Sequence, residues 1–254
     1  MNLLLYRMRR TLLRVLVPEF VWPKSVLIDG ARIAIRNAPY SFGVKRVLKR
    51  GEYELEERGL LSNILQPGDV VVEMGGSIGI LTAIIAARVG SSGFVTSVEA
   101  SAKLTTYSRT WLESGNNVKV LVGFGFPVWE VRHPIAIQKF EQKWGSMSGR
   151  VTFTTSSAST SNGTSAPGHP LYDLRTLSAF AKQPAVTLVV DIEGSERIIC
   201  SQKPEFPPSL RNVLIELHPG IYGEETKQEI IKRIEDDGFN KLTNEGNVFL
   251  FSRF

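Results

Sequence analysis

Residues 70–79 read Val-Val-Val-Glu-Met-Gly-Gly-Ser-Ile-Gly and hold the densest grouping of chemically useful residues in the chain. Glu73 stands two residues before Gly75, and Gly76, Ser77 and Gly79 complete a Glu-x-Gly-x-x-x-Gly spacing. A backbone without Cβ can turn sharply and let a ligand lie directly on it. The β-branched run before the glycines predicts a strand. The Ala/Ile-rich run after them, with Gly90 placed to stop it, predicts a helix. The spacing is neither the G-x-G-x-x-G of a dinucleotide loop nor the Gly-Lys-Ser/Thr of a phosphate loop. An acid ahead of such a turn suits a ligand that presents amino or hydroxyl donors rather than phosphate.

A second acid follows at a telling distance. Residues 93–99, Gly-Phe-Val-Thr-Ser-Val-Glu, predict a second strand that ends in Glu99. In nucleoside-binding α/β folds an acid at that place accepts hydrogen bonds from ribose hydroxyls. Taken singly, Glu73 also fits a charge partner for a helix N-terminus, and Glu99 a solvated strand end. The two in this order point to a nucleoside-type ligand.

These segments resemble the first two motifs of class I S-adenosylmethionine-dependent methyltransferases: Val71-Val72-Glu73-Met74-Gly75-Gly76-Ser77-Ile78-Gly79, then Ser97-Val98-Glu99-Ala100. Further on, Val189-Val190-Asp191-Ile192-Glu193-Gly194-Ser195-Glu196 resembles the Asp-Val-Glu-Gly-x-Glu signature of the FkbM-type methyltransferases, and Leu214-Ile215-Glu216-Leu217-His218 the strand that follows it. Family members mostly carry Asp at the place of Glu73, Ala-Asn at that of Gly76-Ser77 and a proline after the ribose-binding acid, where this chain has Ala100-Ser101. The resemblance, that of a divergent member, implies S-adenosylmethionine as cofactor. It also implies donor contacts from Glu73, Gly75, Gly76, Ser77, Gly79, Glu99 and Ala100. Glu54, an acid in the Tyr-Glu pair near the start of the domain, could be a further donor contact, although an exposed helix acid is the simpler reading.

The donor's sulfonium makes its methyl group electrophilic, so the protein must chiefly align an acceptor oxygen and remove a proton. Asp191, Glu193 and His218 are the candidates, all at predicted strand ends. His218 has the best-matched ordinary pKa, whereas the resemblance favours Asp191, because the Asp-x-Glu-Gly element lines the family's reaction centre. His218 also fits a strand-end histidine satisfied by backbone before Pro219-Gly220, and Glu193 and Glu196 could merely cap the next helix. No Cys/His cluster suits zinc, and the Asp191/Glu193 pair is too common an arrangement to indicate a metal.

The resemblance implies a Rossmann-like α/β fold to position these residues: a mostly parallel seven-stranded sheet with an antiparallel last strand and helices on both faces. Residues 26–36 alternate and predict a hairpin turning at Asp29-Gly30. A helix is expected from residue 51 toward Leu65, another over residues 224–237, and a last strand over 247–252. Residues 146–170 are Ser/Thr-rich; 150–154 could form a strand, and the polar remainder suits acceptor selection or a loop without function. The domain expectation is a basic extension over residues 1–50, amphipathic helix plus hairpin, and a methyltransferase domain over 51–254.

Composition agrees with one catalytic domain. The 254 residues are 43% hydrophobic, enough for a full α/β core. One cysteine, Cys200, excludes an internal disulfide, fits a reducing, cytoplasmic compartment and reads as a buried structural thiol. Residues 1–50 hold eleven Lys or Arg against two acids, a net +9 that leaves −4 for the rest of a +5 chain. Met1, Leu5, Met8, Leu12 and Leu16 recur at helical spacing opposite Arg7, Arg10 and Arg14. Residues 1–17 thus suit peripheral contact with a membrane, or packing on the domain or on a sister subunit of a homo-oligomer. The net-acidic remainder argues against nucleic acid as a partner. The expected function is O-methyl transfer to a hydroxyl of a sugar, glycan or glycolipid. The alternatives are a polyketide-like or other small-molecule hydroxyl, and a non-catalytic scaffold recruited to membrane or nucleic acid.

Overall fold

The computed structural model describes residues 18–131, 153–154 and 169–253. The amphipathic helix expected over residues 1–17 lies outside them, as does most of the Ser/Thr-rich segment. The chain divides into two compact units, Met1–Leu55 and Glu56–Phe254.

In the smaller unit, β1 (Ser25–Ile28) and β2 (Ala31–Ala34) form the expected antiparallel hairpin. Asp29 and Gly30 both take positive φ, 46° and 85°, as a two-residue turn matched to strand twist demands. Helix α1 (Phe42–Arg50) was not foreseen in the sequence. It starts at Ser41, whose hydroxyl accepts from the Val44 N–H at 3.3 Å, and ends at Gly51 with φ 74°. Lys45 is buried, its Nζ 2.6 and 2.8 Å from the two carboxylate oxygens of Glu19.

The larger unit holds all but the first residue of α2 (Leu55–Ser62), the helix expected before the first core strand. Its sheet runs β11-β12-β10-β9-β3-β4-β5. The strands are β3 (Val70–Met74), β4 (Phe94–Glu99), β5 (Val118–Val122), β9 (Thr187–Val190), β10 (Asn212–Glu216), β11 (Asn240–Glu245) and β12 (Val248–Ser252). Neighbours from β10 through β5 pair in parallel, and β12 runs antiparallel to both β10 and β11. The antiparallel last strand of the chain thus lies inside the sheet, and β11 takes the edge.

Every residue of β3, β9 and β12 is buried, as a sheet covered on both faces requires. Covering helices include α3 (Ile80–Val89), with eight of its ten residues buried, and α4 (Ala102–Leu112), capped by the Ser101 hydroxyl. A small parallel sheet in the order β6-β8-β7 flanks the main one, formed by β6 (Phe124–Phe126), β7 (Phe153–Thr154) and β8 (His169–Asp173). Strand β7 is the described end of the segment expected over 150–154. Among the described residues the unit further holds three short helices, α5 (Leu174–Ser178), α6 (Ile198–Ser201) and α7 (Pro219–Tyr222), and the longer α8 (Glu224–Glu235). This strand order and the reversed β12 define the class I methyltransferase fold.

Candidate active site

The carboxyl ends of β3, β4 and β9 meet around a cleft of about 160 Å³. This is where an open parallel sheet presents its loops to a ligand. Gly75, Val98, Glu99, Ala100, Gly123, Phe124 and Gly125 form one side, and Asp191, Ile192, Glu193 and Ser195 the other. Five residues singled out in the sequence therefore share one wall system: Gly75, Glu99, Ala100, Asp191 and Glu193.

The loop after β3 is held by its backbone. Gly75 and Gly76 donate their N–H groups to the Val98 carbonyl at 2.8 and 3.2 Å, and the Gly79 N–H reaches Gly76 O at 2.8 Å. Gly75 sits at φ 97°, and a Cβ there would fall 1.6 Å from the carbonyl oxygen of Asp191. Glycine is thus required by conformation and by space together. Gly79, at φ 81°, starts α3 beneath Leu112, and Ser77 takes φ 47° between them.

The two acids that flagged this loop occupy different places. Glu99 lies in the cleft wall, where its Oε2 accepts from the Ser77 N–H at 3.0 Å and its Oε1 from the Ser101 N–H at 2.6 Å. Glu73 is only 2% exposed and lies under the loop. Its Oε2 accepts from the Thr82 hydroxyl at 2.5 Å, and a Cβ on Gly76 would come 3.2 Å from it. Burial pushes the Glu73 carboxyl above its ordinary pKa, and hydrogen bonds from Ser97 and Thr82 oppose that rise. Glu54 belongs to the smaller unit, with φ 45°, while the cleft is lined wholly by the larger one.

Beyond β9 the chain turns sharply, with Glu193 at φ 52° and Gly194 at φ 100°. A non-glycine residue in this region is strained, and such strain gathers at functional sites. The turn leaves Glu193 74% exposed in its side chain and folds Glu196 fully inside. Glu196 Oε1 accepts from the Ile192 N–H at 3.3 Å and stands 3.0 Å from His218 Nδ1. His218, just past β10, is held further by its own N–H donating to the Tyr222 hydroxyl at 2.6 Å. With Nδ1 engaged by Glu196, Nε2 faces Asp191 Oδ1 and Glu193 Oε2, each at 3.5 Å, and Glu216 Oε1 at 4.0 Å. His218 therefore stands behind two cleft residues and does not line the cleft itself.

Four carboxylates about one imidazole shape its electrostatics. The Glu196 hydrogen bond, with further help from Asp191 and Glu216, raises the His218 pKa to about 9 against the opposing effect of burial. Burial first, then the charge of Glu216, raises Asp191 to about 7, and His218 works in the opposite direction. Burial likewise raises Glu216 and Glu57, whose charges repel each other.

Several wall residues gave no signal that sequence reasoning used. Gly123, Phe124 and Gly125 follow β5, and a Cβ on Gly125 would meet Met74 and Val98 at under 3 Å. The Gly-Phe-Gly pattern at the end of a Val-rich strand was the available clue.

Comparison with known proteins follows the same division of the site. The family model of protein-L-isoaspartate(D-aspartate) O-methyltransferase matches residues 55–137, the part that holds the glycine loop and Glu99. Comparison with curated protein sequences finds no relative. Among solved structures, Aeropyrum pernix fibrillarin with natively bound S-adenosyl-L-methionine is 14% identical at a TM-score of 0.43, over 77% of this chain and 72% of that one. Precorrin-6y C5,15-methyltransferase from Geobacter metallireducens GS-15 is 12% identical at 0.43, over 78% and 86%. A SAM-dependent methyltransferase from Aquifex aeolicus is 12% identical at 0.39, over 83% and 96%. The strand order already defines the fold, and with the matched segment it supports a methyltransferase that uses S-adenosylmethionine. Among the described residues no helix is long and apolar enough to cross a membrane.

Proposed function

We propose that this chain is an O-methyltransferase of FkbM type that transfers the methyl group of S-adenosylmethionine to a hydroxyl of a sugar, glycan or glycolipid. The observation that carries this reading is the pairing of two unlike walls across one cleft. Glu99, which this reading makes the acceptor for the ribose hydroxyls, lines one side, and Asp191 and Glu193 line the other. In this reading Val98, Phe124 and Ile192 offer the apolar surface for the adenine, and Glu99 receives the ribose hydroxyls. The loop backbone at Gly75, Gly76, Ser77 and Gly79 takes the methionine end, Ala100 borders the ribose, and Glu73 braces the loop from below.

Transfer of a methyl from a sulfonium needs an oxygen aligned with the carbon–sulfur bond and a group to accept the hydroxyl proton. In this reading Asp191 and Glu193 on the cleft wall are the groups nearest that task, with His218 behind them at 3.5 Å from each. The sugar acceptor rests on the Asp191-Ile192-Glu193-Gly194-Ser195-Glu196 signature, which lies outside the segment matched by the isoaspartate methyltransferase model.

The reading is tested by calorimetric titration of S-adenosylmethionine and its demethylated product into wild-type protein and Glu99→Ala. Donor binding weakened by the substitution supports the site and opens a screen of nucleotide sugars and glycans. Methylation confined to a polyketide-like hydroxyl would replace the acceptor class, and folded wild-type protein that binds no donor would overturn the reading.

A further inference from the structure

We propose that Asp191, Glu196 and His218 hold a divalent cation of the Mg2+ or Mn2+ class beside the cleft. One ligand-type atom from each of these side chains lies within 4.8 Å of the other two. Ligands on opposite sides of a Mg2+ ion at about 2.0 to 2.1 Å are roughly 4.0 to 4.2 Å apart, so the three side chains stand within about 1 Å of the span of a single cation.

The second observation concerns unmet bonding capacity. Glu196 has no exposed side-chain surface, and its carboxylate faces the cluster, with Oε1 3.0 Å from His218 Nδ1. Its Oε2 has no hydrogen-bond partner, and the buried Oδ1 of Asp191 has none either, its nearest cation being His218 Nε2 in an ion pair at 3.5 Å. A buried carboxylate oxygen without a donor is costly unless a cation or donor meets it. Glu196 Oε2 is such an oxygen, and the imidazole beside it is shared with Asp191. Charge points the same way: Glu193 and Glu216 stand 3.5 and 4.0 Å from His218 Nε2, so four carboxylates face a group that can carry one positive charge.

The donor set selects the class of ion. Two carboxylates and one imidazole suit Mg2+ or Mn2+ better than a thiolate-seeking metal, and Mn2+ accepts the nitrogen more readily. A pair of carboxylates in the sequence gave no reason to expect a metal; what changes this is Glu196, brought to His218 across 22 residues.

The inference deepens the O-methyltransferase reading and rests on it for its role. Because Asp191 also lines the cleft, an ion there has an open side toward the acceptor. It would bind the acceptor hydroxyl oxygen and lower its pKa. The proton passes to Glu193 at the rim. The oxygen then forms its bond to the methyl carbon as the carbon–sulfur bond breaks, and the sulfonium leaves as a neutral thioether.

The test uses full-length protein dialysed against EDTA, with Mn2+ titrated in and free Mn2+ followed by electron paramagnetic resonance alongside thermal melting. One Mn2+ bound per chain is expected, with the melting temperature raised by roughly 5 °C at saturation. Glu196→Gln and Asp191→Asn should each weaken that binding by about tenfold or more, with circular dichroism reporting their folding. Should Glu196→Gln fail to fold, Asp191→Asn and His218→Asn decide the matter. Wild-type protein that takes up no Mn2+, or folded variants that bind it as wild type does, would overturn the proposal. Donor titration into metal-free protein separates the two readings: donor binding without Mn2+ binding removes the cation site alone, and Mn2+ binding without donor binding removes the methyltransferase reading alone.

Discussion

Gly75 and Asp191 are packed backbone to backbone: a Cβ built on the glycine would lie 1.6 Å from the aspartate carbonyl oxygen. The glycine loop after β3 and the turn after β9 are therefore a single fitted unit. The Asp191 N–H donating to Met74 O at 2.9 Å closes it.

Gly75→Ala should cost at least about 2 to 4 kcal/mol or abolish folding, because both the positive φ and the collision are with backbone that cannot step aside. At Gly76 the nearest obstacle is the Ser97 hydroxyl, 2.1 Å from a built Cβ. Gly76→Ala should thus be largely rescued by Ser97→Ala. Urea denaturation midpoints of the three proteins check this, and equal damage with and without Ser97→Ala would refute it.

Glu99 ties the first loop to the second strand end through the N–H groups of Ser77 and Ser101. Glu99→Ala should weaken S-adenosylmethionine binding by tenfold or more, about 1.4 kcal/mol, through the lost ribose acceptor and the loosened loop. A donor lacking the ribose 2′-hydroxyl should lose less from the same substitution. Calorimetry with both donors provides the comparison.

The Glu73 pKa is raised in the folded protein, so its neutral form is the one the fold favours. Its contribution to stability is fully present below the unfolded pKa of about 4.5 and is lost as pH rises through the folded value. Glu73→Gln should therefore gain on wild type as pH rises. By pH 8 it should be more stable by on the order of 1 kcal/mol, while its donor affinity falls. Chemical denaturation at pH 5 and pH 8 measures the gap, and a pH-independent difference would contradict the assignment.

Cys200 is half-buried, and burial together with Glu229 raises its thiol pKa to about 12. At pH 8 the reactive thiolate is scarce. Native protein should resist iodoacetamide while urea-unfolded protein is alkylated readily, as mass spectrometry would record.

Residues 1–17 pair an apolar periodicity with four arginines. Removal of residues 1–20 should abolish binding to anionic liposomes, with each basic residue worth about 1 kcal/mol at such a surface. Sedimentation with vesicles tests this, and unchanged binding ends the membrane reading in favour of packing on protein.

The amino-acid sequence by itself determined the elements whose causes are local. The Val70–Met74 strand, the glycine turn and the Ile80–Val89 helix were legible because β-branching, φ freedom and helical periodicity act within a few residues. The same holds for the hairpin at Asp29-Gly30. The edge strand Asn240–Glu245 escaped notice because all six of its residues are exposed and its partner β12 supplies its order. Only the tertiary structure decided which acids face the cleft. Glu73 and Glu99 carry the same side chain near adjacent strand ends, yet the register pairs Glu73 with Ser97, two residues short of Glu99, so that one is enclosed by Thr82 and Ser97 and the other lines the wall. Glu196 looked like a helix-capping acid until packing buried it against His218. Burial, desolvation and pairing across many residues are properties of neighbours in space, and spacing along the chain does not record them.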